Sequence, residues 1–126
     1  MSGSVNKVTL LGRLGQDPEV REMKNGGKLI QLSIATSERW RDRESGEPRE
    51  RTEWHRVVIF NQRLAEVAES YLNKGDLVYL EGQLQTSKWS DETFQERFTT
   101  EVVLPRFGGV LTLLGQRDND ATEEAA

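Results

Sequence analysis

The side chains best equipped for chemistry in this sequence are flat rings set beside cations. Trp54, Arg56 and Phe60 recur with a period of two, so an extended strand carries all three on one face. An arginine on that face marks it as the outside of a sheet, which leaves Trp54 and Phe60 open beside a guanidinium and turns Val57 and Ile59 inward. Trp40 lies between Arg39 and Arg41, and Trp89 follows Lys88. Rings exposed next to positive charge suit unpaired bases threaded by a phosphate backbone. Every base has a π-face, and in proteins that bind single strands each stacked base contributes about 1–3 kcal/mol whatever its identity. Trp40, Trp54, Phe60 and Trp89 are therefore the candidate stacking residues. The competing role for each ring is core filler, and for the mixed run 39–56 a solvated hairpin in which five carboxylates offset six arginines.

Other chemistries lack their residues. The 126-residue chain has no cysteine and one histidine, His55, which excludes disulfides, zinc fingers, thiol nucleophiles and a histidine metal site. His55 lies inside a strand-like run and suits packing or an interface better than a triad. There is no GxxxxGK[ST] or GxGxxG loop, and no carboxylate cluster of the kind a metal-dependent phosphodiesterase needs. The chain reads as a binding protein without cofactor or metal. The formal net charge is -4, but most of it falls on Asp118, Asp120, Glu123 and Glu124 at the end of the chain. Residues 1–106 are close to neutral, so a phosphate path depends on where the cations collect. No stretch approaches the roughly 20 apolar residues of a membrane span, and no basic, apolar leader opens the sequence, which predicts a cytoplasmic protein.

The elements that must carry these rings follow from periodicity. Residues 5–14 form a β-branched run ending at Gly12 and Gly15. Asn25-Gly26-Gly27 is a strong turn signal. Residues 29–36 alternate Ile30, Leu32 and Ile34 with polar positions and read as a second strand. Residues 37–52, charged and centred on Gly46 and Pro48, read as a long hairpin loop, and 53–60 as a third strand. Leu64, Val67, Ala68, Tyr71 and Leu72 shift to helical spacing after Asn61, with Gly75 placed as a left-handed cap. Residues 77–85 and 97–104 are two further strands about a polar turn, and 107–115 is an apolar, glycine-flanked run. The order strand, strand, strand, helix, strand, strand fits an all-β, five-stranded Greek-key OB-fold barrel with its helix between strands three and four. Residues 1–115 are predicted as that domain and 116–126 as an acidic, disordered tail.

Several blocks carry a resemblance. Val5-Asn6-Lys7-Val8, Gly15-Gln16-Asp17-Pro18-Glu19-Val20-Arg21, Ala35-Thr36-Ser37-Glu38, Thr52-Glu53-Trp54-His55-Arg56, Tyr71-Leu72-Asn73-Lys74-Gly75 and Glu81-Gly82-Gln83-Leu84 closely resemble the bacterial single-stranded DNA-binding protein family. The likeness covers about residues 4–115. It implies stacking aromatics at Trp40, Trp54, Phe60 and Trp89, a subunit-interface role for His55, and a homotetramer around which single-stranded DNA wraps in replication, recombination and repair. With that family in view, Lys7, Arg21, Arg41, Arg56 and Lys88 are the expected phosphate contacts. The family's usual Gly/Pro/Gln-rich linker and Pro-Phe acidic tip, which recruits replication and repair enzymes, has no counterpart in residues 118–126. The rival reading is an OB-fold accessory subunit that uses its sheet face for protein partners in a replication-restart or recombination assembly.

Overall fold

In β3 (Lys28–Arg41), Ile30, Leu32 and Ile34 are buried while their neighbours are half-open, as strict alternation on a half-buried strand requires. This computed structural model describes residues 3–115; the acidic tail expected over 116–126 lies outside the described residues. The other elements are β1 (Val8–Leu14), β2 (Glu19–Glu22), β4 (Pro48–Ile59), α1 (Gln62–Tyr71), β5 (Leu77–Ser90), β6 (Glu96–Leu104) and β7 (Val110–Gly115). β1 pairs with both β3 and β5, β3 with β4, β4 in parallel with β6, and β6 with β5, which closes a five-stranded barrel. Val57, Ile59, Val78, Leu80, Val102 and Leu104 fill it, and α1 packs Leu64, Ala65 and Ala68 against the same core. Among the five barrel strands the helix falls between the third and the fourth, as the OB-fold reading expects.

Three local expectations are corrected. Residues 37–52 are not a loop: the β3–β4 ladder continues from Thr36↔Glu53 to Arg41↔Pro48, and the turn is confined to 42–47. This ribbon projects past the core and needs no apolar face. Polar cross-strand pairs hold it instead, with Ser37 and Thr52 hydroxyls 3.0 Å apart and Arg39 Nε 3.4 Å from Glu50. Asp42 Oδ1 accepts from the Glu44 and Ser45 amides, and these bonds hold its carboxyl below the ordinary carboxylate range. Gly75, with φ +93°, is not the helix cap. Leu72 ends α1 in extended conformation, and Gly75 turns the chain into β5 while its N–H donates to Leu14 O at 2.8 Å. The first strand begins at Val8 rather than Val5, because Asn6 pairs through its side-chain amide with the Leu84 backbone.

Two strands add to the expected five. β2 is fully exposed and exists by pairing along β3, and β7 pairs along β5. Asn61 caps α1 as its position predicts, its Oδ1 accepting from Leu64 N at 3.1 Å. Among the described residues no helix is long and apolar enough to cross a membrane.

Candidate nucleic-acid interface

Register decides which side chains share a surface. Trp54 lies opposite Ala35 and Arg56 opposite Ser33, so small residues leave the indole and the guanidinium standing above the sheet. Val58 meets Val103 across the parallel pair, and β6 continues the same face outward through Glu101, Thr99 and Arg97. Opposite those lie Gln85, Ser87 and Trp89 of β5. One outer wall thus runs from Trp54 and Arg56 across to Trp89. The six-membered ring of Trp54 lies against Gly15, where a Cβ would overlap it, and Gly15 N–H is fixed by Ser33 O at 2.8 Å. Beside the ring is a groove of about 310 Å³ lined by Gln16, Glu19, Gln31, Ser33, Trp54 and Arg56.

The three tryptophans are open: Trp54 is 58% exposed, Trp40 51% and Trp89 49%. Trp89 is oriented by its own N–H, which donates to Thr99 Oγ1 at 2.9 Å. Phe60 lies one residue beyond β4 and is half-buried. Its N–H donates to Leu104 O, and its ring lines a cavity with Met23, Gln85, Val103 and Pro105. Trp40 is the exception to a shared wall. By alternation it stands on the reverse of the β3–β4 ribbon from Trp54, opposite Arg49, and both faces of the ribbon are open there.

The expected cations are dispersed, and most carry an internal carboxylate. Arg56 Nε is 2.9 Å from Glu101 on the Trp54 wall, and Arg21 is 3.2 Å from Glu19, which lines the Trp54 groove. Arg41 is on the Trp54 side of the ribbon by alternation and donates to Gly46 O at 2.6 Å. Lys88 lies on the reverse face from Trp89 and pairs with Glu96 at 2.6 Å. Lys7 pairs with Glu81 at 3.3 Å on the wall of β1, β5 and β7, where Tyr79 O–H also donates to Glu81. These two donors hold the Glu81 carboxyl below its ordinary range, Tyr79 foremost. His55 is half-buried with Nε2 2.8 Å from Thr36 Oγ1.

Arg97 belongs with this set although spacing does not single it out. It stands directly across from Trp89 and is held by Asp91 Oδ2 at 2.8 Å. Asp91 also accepts from the Thr93 hydroxyl and from the Thr93 and Gln95 amides. The Thr93 hydroxyl first, then Arg97, push its carboxyl down to about 2. The signal in the sequence was a tryptophan and an arginine placed symmetrically about the polar turn. Among the described residues no group of His, Asp or Glu is arranged to hold a metal ion.

Open rings and cations along an OB barrel agree with the match of residues 5–108 to the model of the Single-strand binding protein family. The chain belongs to that family. A curated relative, the single-stranded DNA-binding protein of Rhizobium meliloti (strain 1021), is 55% identical over 120 residues, covering 95% of this chain and 69% of the relative. The solved Plasmodium falciparum SSB complex with ssDNA superposes with a TM-score of 0.81 at 37% identity, covering 91% of this chain and 99% of that one. Family membership and the wall of exposed rings thus rest on independent observations.

Proposed function

We infer that this chain binds single-stranded DNA without sequence preference and protects it during replication, recombination and repair, with no catalytic step. The observation that carries this reading is the continuous wall holding Trp54, Phe60 and Trp89 with Arg56, in a member of a family one of whose solved structures contains ssDNA. Bases stack on Trp54, Phe60 and Trp89, and on Trp40 where the strand passes the projecting ribbon. Arg56, Arg21 and Arg41 neutralise phosphates on the Trp54 side. Lys7 and Lys88 do so where the strand rounds the β1 wall and the reverse of the β5–β6 ribbon. The working form is a cytoplasmic, nucleoid-associated homotetramer with His55 at a subunit interface. Residues 1–115 make the binding domain and 116–126 an acidic appendage.

Titration with poly(dT) tests the reading. Tryptophan emission is expected to quench on binding, because indoles stacked on bases lose fluorescence. Affinity is expected to fall with salt, with a log–log slope of about -0.7 per neutralised phosphate. Unchanged emission at low salt, with the assembly intact by sedimentation, overturns stacking.

A further inference from the structure

The β2–β3 hairpin turns through residues 23–27, around the dipeptide Asn25-Gly26. Gly26 N–H donates to Met23 O at 3.0 Å, Gly26 takes φ +92°, and Met23 N–H closes the loop on Gly27 O at 2.7 Å. A tight turn followed by a left-handed residue is a common hairpin loop, and glycine suits the left-handed position. Within it the Asn25 side chain folds back, and Gly27 N–H donates to Asn25 Oδ1 at 3.0 Å. The carboxamide is thereby held beside the Gly26 amide, with its carbonyl already polarised by a donor.

Asn25 differs from the other asparagines. It is the only one followed by glycine. Asn6 spends both ends of its carboxamide on the Leu84 backbone, and Asn61 spends its own on Leu64 N and Gly108 O. Asn73 precedes a lysine. Asn25 and Gly26 are exposed, and a Cβ at Gly26 would meet nothing within 4 Å. Water reaches this peptide unit, and no side chain at position 26 hinders its rotation. The bond to Met23 O must open before the Gly26 nitrogen can act, and an exposed bond of that kind slows the reaction by about tenfold at most.

We propose that Asn25 is a site of spontaneous deamidation, and that the isoaspartate formed there releases β2 from the edge of the Trp54 groove. The Gly26 nitrogen, its proton lost to hydroxide, attacks Asn25 Cγ. The N–Cγ bond forms, the Cγ–Nδ2 bond breaks, and ammonia leaves with a proton taken from water. The product is a cyclic imide, which water opens at either carbonyl. Breaking the N–Cγ bond leaves aspartate. Breaking the bond from the Gly26 nitrogen to the Asn25 backbone carbonyl carbon leaves isoaspartate, whose main chain runs through Cβ and Cγ.

The longer main chain matters because little else holds β2. The strand is exposed along its length and pairs with β3 alone, from Glu19↔Gln31 to Glu22↔Lys28. Ahead of it the chain is tied by Asp17, whose Oδ1 accepts from Lys74 N at 2.8 Å, and its far end is tied by the turn. Hairpin register depends on loop length, so an added backbone carbon breaks the Met23–Gly27 closure and loosens the ladder behind it. Glu19, which lines the Trp54 groove, moves with β2.

The test incubates the folded protein and Asn25→Ser in mildly alkaline and mildly acidic buffer, then reads the peptide containing position 25 by mass and by methylation with an isoaspartyl methyltransferase. Serine keeps an oxygen for Gly27 N–H and has no amide to lose. Methyl incorporation is expected at that peptide, faster in alkali because hydroxide takes the Gly26 proton, and absent from Asn25→Ser. In the isoaspartyl fraction, separated by ion exchange, amide hydrogen exchange over residues 19–22 is expected to quicken by about tenfold or more. Freshly prepared Asn25→Asp, which carries the new charge on an unlengthened chain, is expected to exchange as the unaltered protein does. Absence of isoaspartate from that peptide of the folded protein overturns the proposal. Isoaspartate with unaltered exchange over 19–22, or an equal quickening in Asn25→Asp, overturns the release of β2 by a lengthened turn. Neither readout uses DNA, so the outcome is separate from that of the single-strand-binding reading.

Discussion

Glu101 is the residue whose alteration most directly tests the electrostatics of the proposed binding wall. Its Oε2 lies 2.9 Å from Arg56 Nε, and its side chain is only 17% exposed against 55% for Arg56. A phosphate approaching Arg56 therefore meets a carboxylate already in place and held there by packing. Exposed ion pairs contribute about 0.2–1 kcal/mol, and this half-covered one belongs at the upper end. Two like charges about 4 Å apart in water add roughly 1 kcal/mol of repulsion between the carboxylate and the incoming phosphate. Glu101→Gln keeps an oxygen that accepts from Arg56 but removes both penalties, so affinity for oligo(dT) is expected to rise by about 1–2 kcal/mol, or roughly 5- to 30-fold. The salt slope is expected to steepen by up to about 0.7. Tryptophan quenching titrations at several salt concentrations read both quantities. Affinity equal to or below that of the unaltered protein, with an unchanged melting temperature, refutes the argument that Glu101 competes with phosphate.

Three further outcomes follow from local geometry. Gly15→Val places a side chain where the Trp54 ring lies and is expected to tilt the indole, costing about 1–3 kcal/mol of DNA affinity, as losing one stacked base does, with far-UV circular dichroism unchanged. Phe94, 89% exposed, holds φ +65° at the β5–β6 turn, a conformation that suits glycine. Phe94→Gly is expected to raise stability by about 1 kcal/mol in urea unfolding, and a loss of stability counts against strain at that site. Asp91 has its carboxyl depressed from 3.8 to about 2, so its support of the turn is complete above about pH 4 and disappears as pH falls through 2. Carboxyl chemical shifts followed by NMR are expected to show a midpoint near 2, and a midpoint near 4 removes this account of the turn.

Much of the architecture was legible because burial imposes periodicity. Ile30, Leu32 and Ile34 announce a strand and Leu64, Ala68 and Leu72 a helix, since each set must reach one core. Arg56 between Trp54 and Phe60 likewise marked an outward face, and the structure leaves that indole open. Periodicity is silent where nothing is buried. β2 and the outer half of the β3–β4 ribbon are held by backbone ladders and polar pairs, so residues 37–52 carry no apolar pattern and resemble a loop.

What this sequence determined by itself is the set of chemical groups available and the short-range geometry around them: which rings and cations exist, which neighbours alternate, where Asn61 starts a helix. Only the tertiary structure decided which of those groups meet. Register across β3, β4, β6 and β5 puts Trp89 on the wall of Trp54, sends Trp40 and Lys88 to reverse faces and gives Glu101 to Arg56. Those encounters join residues tens of positions apart, and closure of the barrel, a property of the whole chain, fixes their distances.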